Sequence, residues 1–466
     1  MQHRLRMLIV GDFSGRGHRD GATTGDLAQR PLVAVDLDRF EAALARIGPR
    51  VEIAADGPLP GGAVIEFRSL DDFHPDRLFS RLETFSSLRE SRARLLNPAT
   101  FEAEAAALMQ AGPAAGELDR LLGARPKGEA PLQQGVGTVQ SVADRLVRSV
   151  VEGHVLQRDE LAAAPYVAAV DALASERMRW LLHSPAFQST ESAWRAVRWL
   201  VEALDLDHCL RIELLDATKA ELVEDAQRSK DDFNASKLHR RLLAPEYGDP
   251  GERSRSLLIG DFTFGPTPED LGLLAALGES CASIGASFLA GASPSLIGCS
   301  DLASATDPRQ WSYDSRESEQ RWKVLRSSRA AASIGLAMPR VLLRLPYGKD
   351  TDAIDAFSFS EMSGSDAHSE YLWGNPAFAC ALAIGRAFEA GEPDGALDET
   401  LEIGDLPAHV VERGGERQLQ ACAEYYLSSS MAEAIQDRGV IPLLSFRNRN
   451  AVRIAGLSSI SSAIVR

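Results

Sequence analysis

Leu8-Ile9-Val10-Gly11-Asp12-Phe13-Ser14, near the start of the chain, has a counterpart far downstream in Leu258-Ile259-Gly260-Asp261-Phe262-Thr263. Each stretch places aliphatic residues before a Gly-Asp-Phe turn, which predicts a buried strand that ends in a loop. A Gly/Pro-rich stretch with no core of its own separates the two copies. We therefore expect the two parts of the chain to pack into one body through a shared mixed sheet.

Helical and strand patterns alternate along the rest of the chain. Residues 210–214 alternate apolar and charged side chains, which predicts a strand, and 341–345 predict a later one. Thr218 and Glu221 have the spacing of a capping box at the start of a helix. Another helix is predicted to begin at Pro75 and to continue through Leu88. Together these patterns indicate an α/β fold with mixed sheets flanked by helices.

A shift in composition divides the chain into two modules. Nine of the twenty-six residues from Gly112 to Gly137 are glycine or proline, which excludes a long helix or a central strand. We predict a first module at 1–110, a linker at 111–137 and a second module at 138–466. An apolar stripe with helical spacing follows the linker directly, over residues 138–151.

Charge and hydropathy exclude several classes of protein. The 466 residues carry a formal net charge of −16, and a phosphate-backbone binder would normally show a basic surplus. The one dense basic patch, Arg447-Asn448-Arg449 with Arg453, is short. No apolar run is long enough for a membrane span, and the N-terminus does not resemble a signal peptide, so we expect a cytoplasmic protein. The five dispersed cysteines are predicted to be reduced core thiols.

A search for catalytic and ligand-binding motifs identifies no active site. The loop Gly11–Gly17 lacks the Lys-Ser/Thr of a P-loop and the glycine spacing of a dinucleotide site. In the stretch nearest to a nucleophile elbow, Pro294 directly follows Ser293 and removes a backbone N–H that an oxyanion hole needs. The nine histidines are dispersed, with no metal-binding pair on one helical face. These observations predict no enzyme activity, no cofactor and no metal.

Two groups of segments resemble the contractile sheath of type VI secretion systems. In the first module, residues 31–40 (PLVAVDLDRF) and 67–77 (FRSLDDFHPDR) are similar to the small sheath subunit, TssB. In the second module, the similarity is to the large subunit, TssC. It is carried in the family's order by 183–188 (HSPAFQ), 193–201 (AWRAVRWLV), 258–262 (LIGDF), 288–294 (FLAGASP), 338–348 (MPRVLLRLPYG) and 373–378 (WGNPAF).

The resemblance implies a contractile-sheath-like chain in which a TssB-like module is fused to a TssC-like one. In the family, pairs of small and large subunits polymerise around an inner tube of Hcp, and exchanged strands hold the lattice together by β-augmentation. The implied role is structural, as a sheath protomer or a sheath-derived, baseplate-associated accessory. The implied partners are other sheath subunits, Hcp, baseplate proteins and an AAA+ recycling unfoldase. The linker takes the place of the region that the unfoldase recognises in the family.

The last residues carry the candidate interface. The usual large subunit continues beyond this point, so we expect residues 457–466 to complete the chain's own sheet and the protein to form assemblies of low order. If the segment pairs with another chain instead, Leu457, Ile460, Ile464 and Val465 are its candidate contact residues. The alternative to a sheath role is a cytoplasmic α/β enzyme or ligand-binding protein whose site the motifs do not reveal.

Overall fold

The computed structural model describes residues 4–19, 25–55, 57–59, 61–110, 160–230, 232–243, 254–363, 368–391, 401–413 and 415–461. The predicted linker and the helical stripe at 138–151 lie outside these residues, so the module boundaries remain predictions. No helix in the described ranges is long and apolar enough to cross a membrane. The five cysteines are unpaired, and four of them are buried.

The chain alternates helices and strands as predicted. The strands are β1 (Arg4–Gly11), β2 (Val33–Val35), β3 (Arg50–Ile53), β4 (Ala63–Glu66), β5 (Leu210–Asp216), β6 (Ser254–Phe264), β7 (Ser287–Ala292), β8 (Ile334–Met338), β9 (Val341–Leu342), β10 (Trp373–Gly374), β11 (Glu402–Ile403), β12 (Val410–Arg413), β13 (Glu416–Leu419), β14 (Ile441–Ser445) and β15 (Val452–Ile454). The α-helices are α1 (Phe40–Ile47), α2 (Pro75–Arg81), α3 (Ser86–Leu96), α4 (Phe101–Gln110), α5 (Glu160–Leu182), α6 (Pro185–Ala203), α7 (Lys219–Arg228), α8 (Lys237–Leu242), α9 (Pro268–Ile284), α10 (Arg316–Arg326), α11 (Pro376–Glu389) and α12 (Ser429–Asp437).

Nine of these strands form one mixed sheet in the order β11-β15-β14-β8-β7-β6-β1-β5-β2. The six strands from β14 to β5 run parallel, and β2, β11 and β15 pair antiparallel at the edges. Strand β1 lies between β5 and β6, so the first part of the chain supplies a central strand to a sheet built mostly by the second part. The predicted shared sheet is confirmed.

The two copies of the repeated stretch lie side by side in this sheet. Leu8 is opposite Leu258 and Ile9 is opposite Ile259. In the downstream copy the residue after Ile259 is Gly260. A glycine is needed there because a Cβ atom would come within 2.7 Å of the Phe288 ring. The repetition in sequence therefore corresponds to two neighbouring parallel strands. The first ends at Gly11 as predicted, but the turn predicted at Gly260-Asp261-Phe262 is wrong, because β6 continues to Phe264 through an irregularity in its pairing with β7 between Ile259 and Thr263.

Helices cover both faces of the sheet. Met7 and Ile9 of β1 point into a core shared with α6 and α11, whereas Leu8 and Val10 point into a second core shared with α9. A parallel strand that is buried on both faces has a nearly continuous apolar sequence, as β1 has.

Two predicted elements differ from the structure. The helix expected over 75–88 is broken, because Leu82 is extended and a 3-10 turn at Glu83–Phe85 separates α2 from α3. The Arg89 guanidinium donates to the carbonyls of Phe79 and Leu82, which satisfies backbone groups freed by the break. The strand expected over 341–345 is limited to Val341–Leu342, and the chain then turns so that Arg344 enters a buried ion-pair cluster.

Candidate functional site

The contact surface between residues 4–110 and residues 160–461, hereafter the junction, carries the segments that the sequence singled out. Phe67 and Phe73 stack with their ring centroids 3.9 Å apart, and both meet Phe187 edge-on at 5.9 and 5.6 Å. All three side chains are buried. Phe187 lies in the first turns of α6, so the TssB-like segment 67–77 packs directly against the TssC-like segment 183–188.

Local capping places this aromatic cluster. Ser69 and Asp72 form a capping box around the 3-10 turn Leu70–Phe73. The His74 side chain then accepts a hydrogen bond from the backbone N–H of Asp76 at 3.2 Å, with Pro75 at the first position of α2. The helix start predicted at Pro75 is therefore confirmed, and it directs Phe73 inward.

The same segment contacts the second part through polar groups. The His74 ring lies 5.0 Å from the Tyr347 ring, in an edge-to-face arrangement. The Asp76 carboxylate accepts hydrogen bonds from the backbone N–H groups of Asp355, at 3.1 and 3.2 Å, and of Ala356, at 2.9 Å. Asp76 thus begins α2 and also holds a loop of the second part.

Trp194 forms the other half of the junction. Its ring meets Phe13 at 5.5 Å and Phe40 at 5.8 Å, both edge-on. Its indole N–H donates to the Phe13 carbonyl at 2.9 Å. The tryptophan therefore packs in the core and fixes the loop after β1 to α6.

A charged cluster lies at the carboxyl ends of β1 and β5. Arg16 and Arg30 both bind Glu221, at 2.9 and 2.8 Å, and Arg16 also pairs with Asp216. Burial alone would raise the pKa of Glu221, but hydrogen bonds from Arg30, the Thr218 N–H and Arg16 lower it to about 2. The predicted capping box of Thr218 and Glu221 is present. Its carboxylate is shared with two arginines from the other side of the junction.

The glycine-rich loop Gly11–Gly17 lies in this cluster, and its amides are occupied. The Asp12 carboxylate accepts from the N–H groups of Arg16 at 3.0 Å and Gly17 at 2.7 Å. The N–H of Ser14 donates to Asp216 at 3.0 Å. A phosphate would need these N–H groups, so the chain's own carboxylates take the position of an anion.

A buried ion-pair cluster lies beside the Tyr347 ring, with Arg344 Cζ 4.2 Å from the ring centre. Arg344 binds Glu191 at 2.8 Å and Glu361 at 2.7 Å, and all three side chains are almost fully buried. Burial would raise the pKa of Glu361, but Arg344 and His183 lower it to about 2. Arg195 adds a second cation against Glu191. Each carboxylate of the cluster is paired with an arginine, and together these pairs tie α6 to the loops after β9.

The four candidate interface residues differ in where they lie and in how far they are buried. Leu457 is half-buried against the first core. Ile460 is fully buried in the second, its N–H donates to the Ile334 carbonyl at 2.8 Å, and its own carbonyl accepts from Arg326. Ile464 and Val465 lie outside the described residues. A role for these residues in contacts between chains remains a prediction.

One possible metal-ligand group, Asp207-His208-Cys209, occurs in the described ranges. It is mostly exposed, and the Asp207 carboxylate is engaged by the N–H groups of Cys209 and Leu210 at 2.6 and 2.9 Å. Those bonds shape the turn before β5. Sequence reasoning also missed the Arg344 and Glu221 clusters, because Arg344 lies 153 residues from Glu191, and Arg16 and Arg30 lie 205 and 191 residues from Glu221.

Comparison with known proteins matches both parts of the chain. Residues 164–461 match the VipB family, described as EvpB/VC_A0108, tail sheath N-terminal domain. Residues 3–108 match the family described as Type VI secretion system, VipA, VC_A0107 or Hcp2.

Two curated relatives from Pseudomonas aeruginosa support both matches. The type VI secretion system sheath protein TssC1 is 30% identical over 335 residues, which cover 69% of this chain and 67% of that protein. The sheath protein TssB1 is 29% identical over 99 residues, which cover 20% of this chain and 56% of that protein. The chain belongs to the type VI secretion sheath family and joins a TssB-like and a TssC-like part in one polypeptide.

Proposed function

We propose that this chain acts as a preassembled pair of sheath subunits, which enters a type VI contractile assembly as one structural unit. The observation that carries the proposal is the junction, where the segments typical of TssB and of TssC are packed against each other. The central position of β1 makes the two parts one body. Other sheath subunits are its partners through family membership, and contacts with Hcp and baseplate proteins are part of the proposal.

Fusion has a physical consequence for such a unit. Two separate subunits associate at a rate and extent set by their concentrations, whereas a linked pair has a fixed 1:1 ratio and a high effective concentration. The junction is built like a protein core, with buried aromatic rings and paired charges, so the linked parts have little reason to separate. Recycling by an AAA+ unfoldase is a prediction that concerns the linker at 111–137, which lies outside the described residues.

The proposed role is structural, with no catalytic turnover. The clusters described at the junction are internally paired, and their arginines and carboxylates stabilise the contact between elements. A sheath role also places the protein in the cytoplasm with its proposed partners. A hydrolase, transferase or redox activity that follows the pure protein and is lost on one His or Cys substitution would contradict this part of the proposal.

The proposal is tested by negative-stain microscopy and co-sedimentation. The purified chain is examined alone, with separate TssB and TssC subunits, and with those subunits and the inner-tube protein. We expect little or no long polymer from the chain alone, and its incorporation into tube-and-sheath polymers or their ends in the full mixture. Recovery of the chain only in the supernatant, while the other components polymerise normally, would refute the sheath role.

A further inference from the structure

A groove with a volume of about 440 Å³ crosses the junction. Glu41 and Asp71 line it from the first part of the chain, and Trp199, Leu343 and Asp405 line it from the second. Trp199 and Leu343 are half-buried, whereas the three carboxylates are exposed. The groove therefore has an apolar, aromatic base and an acidic edge, and it exists only where the two parts are assembled.

The three carboxylates of the edge carry uncompensated charge. In the part of the chain that the structure describes, no cationic side chain lies within ion-pair distance of Glu41, Asp71 or Asp405. The two arginines of the groove wall do not supply the missing charge. Arg195 binds Glu191 at 2.7 Å and Arg198 binds Glu202 at 2.6 Å. The site favours a cation, which could also lie against the face of an indole ring.

A basic loop lies beside this groove on the same chain. Arg447, Asn448 and Arg449 are exposed between β14 and β15, and Asn448 has a left-handed backbone with φ 57°. The Asn450 carbonyl accepts a hydrogen bond at 3.0 Å from the N–H of Leu406, a residue of the groove wall. The acidic groove and the basic loop are therefore adjacent patches of opposite charge.

The two arginines of the loop differ in their surroundings. Arg449 lies 3.6 Å from Glu402 and 5.8 Å from the centre of the Phe446 ring, so its charge is partly compensated. Arg447 has no acidic partner among the residues that the structure describes. Of the side chains in this loop, Arg447 is therefore the one best suited to bind in the acidic groove of another copy of the chain.

We propose that two copies of this chain associate through these patches, with the loop 446–450 of each copy docked in the groove of the other. A twofold contact requires a surface that is complementary to itself, and adjacent patches of opposite charge meet that requirement. Arg447 of one copy would lie over Trp199 of the other, with Asp71 and Asp405 as its carboxylate partners. This contact is independent of the proposed sheath role and needs no other sheath subunit.

Charge reversal tests the contact in sedimentation-velocity experiments on the full chain alone. The wild type is expected to form a dimer that weakens as the salt concentration rises. Asp71→Arg and Arg447→Glu are each expected to weaken the dimer by about tenfold or more, because each places like charges together. An equimolar mixture of the two variants should recover association. In the mixed dimer, one contact joins the unchanged Arg447 and Asp71, and the other joins the two reversed charges, which are again opposite in sign.

Glu433→Arg is the matched control, because it reverses an exposed carboxylate that does not line the groove. It should leave the dimer unchanged, and circular dichroism with thermal unfolding checks that each variant is folded. If Asp71→Arg fails to fold, Arg447→Glu alone still tests the contact from the other side. A wild type that stays monomeric at about 100 μM, or a dimer that neither reversal weakens, would overturn the proposal.

Discussion

Truncation of Phe187 to alanine should weaken the association of the two parts of the chain. Phe187 is fully buried and meets the rings of Phe67 and Phe73 edge-on across the junction. Deleting a buried phenylalanine costs about 3–5 kcal/mol in total, and each edge-on aromatic pair accounts for about 0.5–1.5 kcal/mol. If about 2 kcal/mol of this loss falls on the junction itself, association weakens roughly thirtyfold.

The assay measures that association directly. A protease site is inserted within residues 111–159, the folded protein is cleaved, and the affinity of the two fragments is measured by dilution and size-exclusion chromatography. Phe288→Ala is the matched control, because Phe288 is equally buried but packs against Phe264 inside the second part. It should lower stability without loosening the fragments. Wild-type fragments that separate freely on cleavage, or equal weakening by both variants, would refute the reasoning.

Three further predictions follow from buried groups. Burial raises the pKa of Asp261 to about 7, so its ionisation destabilises the native state as pH rises from about 4 to 7. Asp261→Asn should therefore be more stable than the wild type at pH 8 and only slightly more stable at pH 4. In urea unfolding, a gain in stability that does not depend on pH would contradict this. Arg344→Met leaves Glu361 buried without its arginine and Glu191 with Arg195 alone, and should cost about 3–5 kcal/mol in urea unfolding; a loss below about 1 kcal/mol would show that the carboxylates find other partners. Ile460→Ala should cost about 2–5 kcal/mol and lower the melting temperature, whereas an unchanged melting temperature would favour a role outside the chain's own core.

Local signals predicted much of the fold. Apolar runs before Gly-Asp-Phe turns identified two strands, and the structure pairs them in one sheet. The Thr218/Glu221 capping box, predicted from spacing, is present at the start of α7, and the bounds of α9 are likewise set locally, because Thr267 caps its start and Gly285 ends it in a left-handed conformation. Such elements are determined within a few turns of chain, so sequence spacing is enough to find them.

The two charged clusters depend on pairs that no local pattern contains. Arg344 finds Glu191 and Glu361, and Arg16 finds Glu221, across long stretches of chain. Arginines and glutamates are frequent in this sequence, so their positions alone do not select these partners. The break at Leu82 was missed for a similar reason, since apolar residues with helical spacing continue through it. The groove likewise requires the three-dimensional arrangement of both parts.

The position of β1 has a consequence for biosynthesis. Its residues leave the ribosome long before those of its parallel neighbours β5 and β6, which end only at Asp216 and Phe264. At about 5–20 residues per second, the strand waits roughly 12–50 s before both neighbours exist. During that time an apolar strand with two unpaired edges is open to pairing with other chains. The nascent chain therefore needs protection until β5 and β6 have emerged and can pair with β1.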